Sequence, residues 1–303
     1  MKFKQIVPAD FPKLKKFFHR QRYPLSVYSL SSIIAWQNEE FRPHAFADGD
    51  TLFICGEYAT HKENRHLILP VSPTREYTPE ELYDIAKSFG FENYWFVPEQ
   101  YLKQYGKARV KKIFKVKVQK DFEDYIYAAD DLVGLKGNKY SGKRNLIHQF
   151  KRYYVNQGRV TIESVTSAFV SECHDFLEKW CVERDCDISK DFYLYCEKDA
   201  ALNTVENLEL FEAKGILLRI DKEVSAFGIA SRLTEDMGIL QFEKAFAKIK
   251  GLYQYFDQEC AKRLFKGYTY INKESDMNIP GLAKAKKSYY PVMTVKSYTL
   301  TRR

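Results

Sequence analysis

The sequence predicts an α/β fold, α+β in how its strands and helices segregate. We read it as two tandem units, each a mixed, splayed sheet flanked by helices. Three observations lead there. Short β-branched and aromatic runs alternate with longer stretches of helical period along the chain. The 303 residues, 45% hydrophobic with 22 Tyr and 22 Phe, suffice for two cores and carry too much apolar side chain for a disordered polymer. The strand and helix content of the second half also echoes the first. The units are placed at residues 1–130 and 131–303, with a join near 120–137.

Asp10-Phe11-Pro12, followed by Leu14, Phe17 and Phe18, reads as an amphipathic helix with Asp10 at the cap and Pro12 in the first turn. Leu52 to Cys55 and His66 to Val71 have the short, β-branched character of strands. Thr78-Pro79-Glu80-Glu81 opens a helix through Leu82, Ile85 and Ala86 that Gly90 stops. Tyr94 to Val97 reads as a buried strand, and Val110 to Val118 as a half-exposed one alternating with lysines. Strand Tyr125 to Tyr127 leads into a polar turn at Asp130-Asp131. Asn138 to Asn156 is a basic helix with Leu146, Ile147, Phe150 and Tyr154 on its apolar side.

The remaining elements follow the same logic. A strand at Val160 to Ile162 precedes a helix from Ser167 to Trp180 and another around Ala200 to Asn207. Three strands come close together at Gly215–Ile220, Ser225–Arg232 and Gly238–Phe242. Gly251 opens a helix that Gly267 closes; strand Tyr268–Asn272, a short helix Gly281–Lys287 and strand Val292–Leu300 end the series. An antiparallel meander, a helix launched from its last strand, a further strand, a short helix and a closing strand match the core order of GNAT acyltransferases. In that fold a gap in the sheet admits an acyl donor, here expected near Phe242 and Ile271. Fold alone does not dictate activity.

Lys+Arg 48 against Asp+Glu 40 gives a net charge of +8. The excess is concentrated in the acid-free stretches Lys103–Lys120, Lys136–Arg152 and Leu282–Arg303. Such clusters suit a polyanion such as tRNA, a cofactor diphosphate or anionic lipid, or serve only as a solvated surface. No apolar run is long enough for a membrane span, and no hydrophobic stretch follows Met1, so a cytoplasmic location is expected. The cysteines Cys55, Cys173, Cys181, Cys186, Cys196 and Cys260 form no C-x-x-C pair and do not alternate with histidines at ligand spacing. Reduced, mostly buried thiols are expected, and no metal site.

Two constellations could carry chemistry. The first, Glu243 to Tyr253, joins a strand to a helix, with Lys248, Lys250 and Gly251 at the helix entrance. Unpaired N–H groups and the partial positive charge there can receive a donor phosphate. The second runs from Asn272 to Pro291. Glu274 and Asp276 put two carboxylates in one turn past a strand end, where either could hold an amine or take its proton. The bland alternative is that these acids cap the next helix and pair with Lys284 or Lys287. His148, on the basic helix, reads as a surface or packing residue.

The second stretch resembles the C-terminal domain of bacterial phosphatidylglycerol lysyltransferases. Asn272, Glu274, Asp276, Gly281, Leu282, Lys284, Lys287, Ser288, Tyr289 and Pro291 match its pattern. Lys143-Arg144-Asn145 with Phe150 is similar too, as are Glu243-Lys244-Ala245 with Gly251-Leu252-Tyr253, and Tyr28-Ser29-Leu30 ahead of Ile34 and Trp36. Lys273, Ser275 and Ala283 depart from the family's Arg, Gln and Arg, and a guanidinium fork lost weakens bidentate anion binding.

The resemblance implies a tandem GNAT-like fold related to Fem-type transferases, which move an aminoacyl group from aminoacyl-tRNA to a lipid hydroxyl or an amine. On this reading Glu274, Asp276 and Asn272 are the catalytic candidates. Lys143, Arg144, Lys248, Lys250, Gly251, Lys284 and Lys287 would hold donor phosphate, while Glu243, Ser288 and Tyr289 line the substrate pocket. No cofactor is tightly bound; aminoacyl-tRNA or acyl-CoA is the co-substrate, and the acceptor a small-molecule or peptidyl amine, or a lipid. Two alternatives stay open: an acyl-CoA-dependent N-acyltransferase, and a non-catalytic RNA- or ligand-binding protein.

Overall fold

The computed structural model describes residues 2–183 and 192–303, residues 192–196 by their backbone alone. The first half begins with β1 (Lys4–Gln5), α1 (Phe11–Leu14), α2 (Leu30–Ala35), β2 (Phe41–Asp48), β3 (Thr51–Tyr58) and β4 (His66–Leu67). It continues with α3 (Pro79–Phe89), β5 (Asn93–Pro98), α4 (Glu99–Tyr105), α5 (Lys107–Ile113) and β6 (Phe114–Ala128). The second half starts with α6 (Ala129–Gly134), α7 (Ser141–Tyr153), β7 (Val160–Ser164), α8 (Val170–Glu183) and α9 (Phe192–Glu206). The meander β8 (Lys214–Ile220), β9 (Glu223–Arg232) and β10 (Met237–Ala245) follows. Then come α10 (Leu252–Leu264), β11 (Tyr270–Ser275), α11 (Pro280–Lys287) and β12 (Met293–Arg302).

The fold is mixed α/β, and its strands join in one 12-stranded sheet ordered β1-β2-β3-β4-β5-β12-β6-β11-β10-β9-β8-β7. Each half repeats the predicted core: antiparallel strands, a helix, then a strand parallel to the last one. The halves also trade their final strands. β6 lies between β11 and β12, and β12 lies between β5 and β6. The expected join near 120–137 therefore falls on β6, a strand shared by both sides of the sheet, and on α6.

Apolar clusters cover both faces of the second half. Ile147 and Phe150 of α7 pack with Leu252 and Phe256 of α10 on one face. Phe176, Leu177 and Trp180 of α8 pack with Ala201 and Val205 of α9, and with Phe227 and Phe242, on the other. Cys55, Cys173 and Cys260 are buried free thiols and Cys181 is half-buried; Cys186 and the Cys196 side chain lie outside the described residues. Among the described residues no helix is long and apolar enough to cross a membrane.

Local chemistry explains most boundaries. Thr78 Oγ accepts the Glu81 N–H while Glu81 accepts the Thr78 N–H, and Gly90 ends α3 at φ 71°. Asp10 behaves otherwise: its carboxylate accepts the Val7 N–H and makes no side-chain cap on α1. The expected strand Val110–Val118 is a correction. Val110 and Ile113 stand three apart on α5, and β6 begins only at Phe114, continuing through the expected Tyr125–Tyr127 strand. The Asp130-Asp131 turn is the first turn of α6, where acids favour the helix dipole. Of His66–Val71, only the first two residues are in a strand; Val71 makes an isolated bridge to Leu52.

Candidate active site

The parallel ladder of β10 and β11 runs from Met237↔Tyr270 to Ile239↔Asn272 and ends there. Beyond it β10 continues to Ala245 along β9 alone, and β11 continues to Ser275, where Ser275 meets Asp124 of β6. The parting thus opens just past Asn272, and Ile271 sits in the paired section before it. Successive β10 side chains turn to opposite faces here, so Glu243 and Lys244 enter two different charged clusters.

On the α10 face, the Lys273 ammonium lies 2.9 Å from Glu243 and 2.6 Å from Asp257 of α10. Burial pulls its pKa down, and the two carboxylates overcome that and hold it above the usual lysine range. Burial and the neighbouring Asp257 push Glu243 up, against the pull of Lys273. Lys143 of α7 reaches the same cluster: its ammonium donates to Ser288 Oγ at 2.7 Å and lies 3.9 Å from the Tyr289 ring centre. Burial lowers its pKa.

On the α9 face, Lys244 pairs with Glu197 at 2.6 Å and lies over the Trp180 ring at 4.6 Å. Glu274 is held near them by a bent piece of backbone, with φ 58° at Glu274 itself. Asn272 sets that bend. Its buried amide donates to the Pro24 carbonyl at 2.7 Å and to Asp124 at 2.8 Å, and its oxygen accepts the Glu274 N–H at 2.6 Å. Asp124 also accepts the Ser26 N–H at 2.6 Å, which ties the turn to the first half.

Lys286 of α11 donates to the carbonyls of Lys273, Glu274 and Ser275, closing the turn from the other side. Burial raises the Glu274 carboxyl well above the ordinary carboxylate range, with Lys286 opposing and Asp124 and Glu197 adding to the rise. Lys286 is correspondingly lowered by burial. A carboxyl of this kind can exchange a proton near neutral pH.

The other expected residues are placed as follows. Asp276 accepts the Tyr125 hydroxyl at 2.6 Å and the Asn278 N–H at 2.9 Å, so it fastens the turn. Arg144 donates to the carbonyls of Leu135 and Gly137, bracing the loop before α7. Lys248, Lys250, Lys284 and Lys287 are exposed. The Lys248 N–H donates to Glu183 at 2.9 Å, and Gly251, at φ 82°, lies so close to α7 that a Cβ would strike the Leu146 carbonyl. His148 is exposed.

Asp257, Glu197, Lys286 and Asp124 belong to the site and were not singled out from the sequence, and Lys244 entered only within the matched Glu243-Lys244-Ala245 triplet, with no role. One signal was available: Asp257 lies on the buried side of an amphipathic helix with Tyr253, Phe256, Cys260 and Leu264, where an acid requires a partner.

The model of the family described as "Phosphatidylglycerol lysyltransferase, C-terminal" matches residues 25–301. A solved protein of unknown function from Bacteroides thetaiotaomicron superposes with a TM-score of 0.88 at 24% identity, covering 100% of both chains. The C-terminal domain of a protein named as a lysylphosphatidylglycerol synthetase, from Agrobacterium fabrum, superposes with a TM-score of 0.65 at 13% identity. It covers 96% of this chain and 91% of that one. No curated protein matches.

Proposed function

Because the chain belongs to the phosphatidylglycerol lysyltransferase C-terminal family of acyltransferases, we propose that it moves an aminoacyl group from aminoacyl-tRNA to an amine or hydroxyl acceptor. The observation that carries this reading is Glu274, a carboxyl with a raised pKa on a bent strand where β10 and β11 part.

In the proposed reaction Glu274 takes the proton of the acceptor's amine or hydroxyl, whose nitrogen or oxygen then bonds to the aminoacyl carbonyl carbon. The ester bond to the terminal ribose breaks, and the ribose oxygen receives the proton. Backbone N–H groups freed by the parted ladder stabilise the developing oxyanion. Asn272, Asp276 and Lys286 act as positioning residues that fix the turn carrying Glu274.

The strand–helix turn supports tRNA over acyl-CoA as donor. Its Lys248 N–H already serves Glu183 and its Gly251 is pressed against α7, which leaves little room for a diphosphate. The exposed lysines Lys248, Lys250, Lys284 and Lys287 suit a longer polyanion instead.

The test is a donor comparison with the full chain. Aminoacyl-tRNA should be discharged to an amine acceptor, with binding that weakens steeply as salt rises, while acyl-CoA is left intact. Transfer from acyl-CoA alone would replace the donor. Binding of tRNA with no discharge of either would leave a binding protein on this fold.

A further inference from the structure

A second cluster of reactive side chains lies in the first half, on the β2–β3 hairpin. β4, β5, β12 and β6 separate it from β11 in the sheet order, so it is independent of the transfer site. His44 stands directly opposite Cys55 in the antiparallel register, and Glu57 follows Cys55 by two residues. Period-two alternation therefore puts all three side chains on one face. Their ligating atoms all lie within 4.8 Å of one another. From this convergence of a thiol, an imidazole and a carboxylate, we propose that His44, Cys55 and Glu57 bind one divalent transition-metal ion, with Zn2+ the best match.

The donor set fits a borderline-soft dication. Zn2+ accepts sulfur, nitrogen and oxygen ligands together, and a thiolate plus a carboxylate would balance its two charges. Binding takes the thiol proton from Cys55 into the buffer. Neighbouring groups already orient two of the ligands. His44 Nδ1 lies 3.2 Å from the Arg42 carbonyl, a contact that holds the ring beside the cluster. Arg65 donates to Glu57 Oε1 at 3.2 Å and leaves Oε2, 3.8 Å from His44 Nδ1, turned toward the cluster. Cys55 is buried beneath, while His44 and Glu57 are half-buried, so water can complete the coordination from the solvent side. The sequence shows none of this, because the ligands come together through strand register and not through a spacing motif.

The test uses the untagged full chain, stripped with a chelator and dialysed against Zn2+. One equivalent should remain by elemental analysis, and the melting temperature should rise with added metal. Co2+ in its place should give a thiolate charge-transfer band that Cys55→Ser abolishes. Since Cys55 is a core residue, His44→Gln and Glu57→Gln provide variants on the partly exposed side; each should weaken Zn2+ binding by about 10-fold or more. Retention of no metal, Zn2+ binding unchanged in both of these variants, or a Co2+ complex without a thiolate band would overturn the proposal.

Discussion

The two halves solve the same backbone problem and fill it differently. In the second half the last parallel pair is Ile239↔Asn272, and two residues on, Glu274 takes φ 58°. In the first half the one parallel pair is Leu67↔Tyr94, and two residues on, Phe96 takes φ 56°. One bend carries a carboxyl among Lys244, Glu197 and Lys286; the other carries a phenyl ring against Phe122, 5.0 Å away, and His66, 5.6 Å away. The Tyr28 hydroxyl donates to the Phe96 carbonyl and accepts the Leu69 N–H, so the first half's bend is held with a half-buried ring in place of an ionisable group. The bend is thus a property of the repeated fold, and chemistry depends on what it presents.

The largest expected effect separates the bends directly. Glu274→Gln should lower aminoacyl transfer by about 10²- to 10⁴-fold while leaving tRNA binding nearly intact. Phe96→Leu should change the transfer rate little and cost only about 1 kcal/mol of stability. Equal losses of activity in both variants would erase the distinction between the halves.

A second contrast concerns what is buried beside each parting. Lys273→Met leaves the Glu243 and Asp257 carboxylates facing each other without their cation. Denaturant unfolding should show a loss of about 3–5 kcal/mol. Replacing Asp257 by Asn in the same background should recover part of it, since one of the two like charges is gone.

The smallest effects come from the glycines that border the helix after each parting. Gly251→Ala meets both a positive φ and the Leu146 carbonyl, whereas Gly90→Ala meets open space at φ 71°. The first should cost about 3 kcal/mol and the second about 1 kcal/mol in thermal or chemical unfolding. Equal costs would mean that α7 yields and that the contact at Gly251 carries no weight.

Much of this was legible in the sequence. The meander, the helix after it and the polar stretch past β11 follow from period, glycines and caps, and Glu274 was reachable because polar groups beyond a strand end had no core to join. Val110–Val118 misled because Val110 and Ile113 fit a helical spacing as well as an alternating one. Lys286 was hidden among equivalent lysines: Lys284 and Lys287 face solvent while it alone of the three is turned to the turn's carbonyls, and only packing fixes which side of α11 is inward. The Lys273–Asp257 pair spans a strand and a helix, and the exchange of β6 and β12 depends on contacts between halves that no local pattern encodes.

The most direct test of the central claim is the pH dependence of single-turnover aminoacyl transfer in the wild type and in Glu274→Gln. Glu274 must be ionised to accept a proton, and its carboxyl titrates above the ordinary carboxylate range. The wild-type rate should therefore climb as pH rises through that elevated value and then level off, while the variant stays slow and flat across the same interval. A variant that keeps both the wild-type rise and its plateau rate would contradict the assignment of Glu274 as the base.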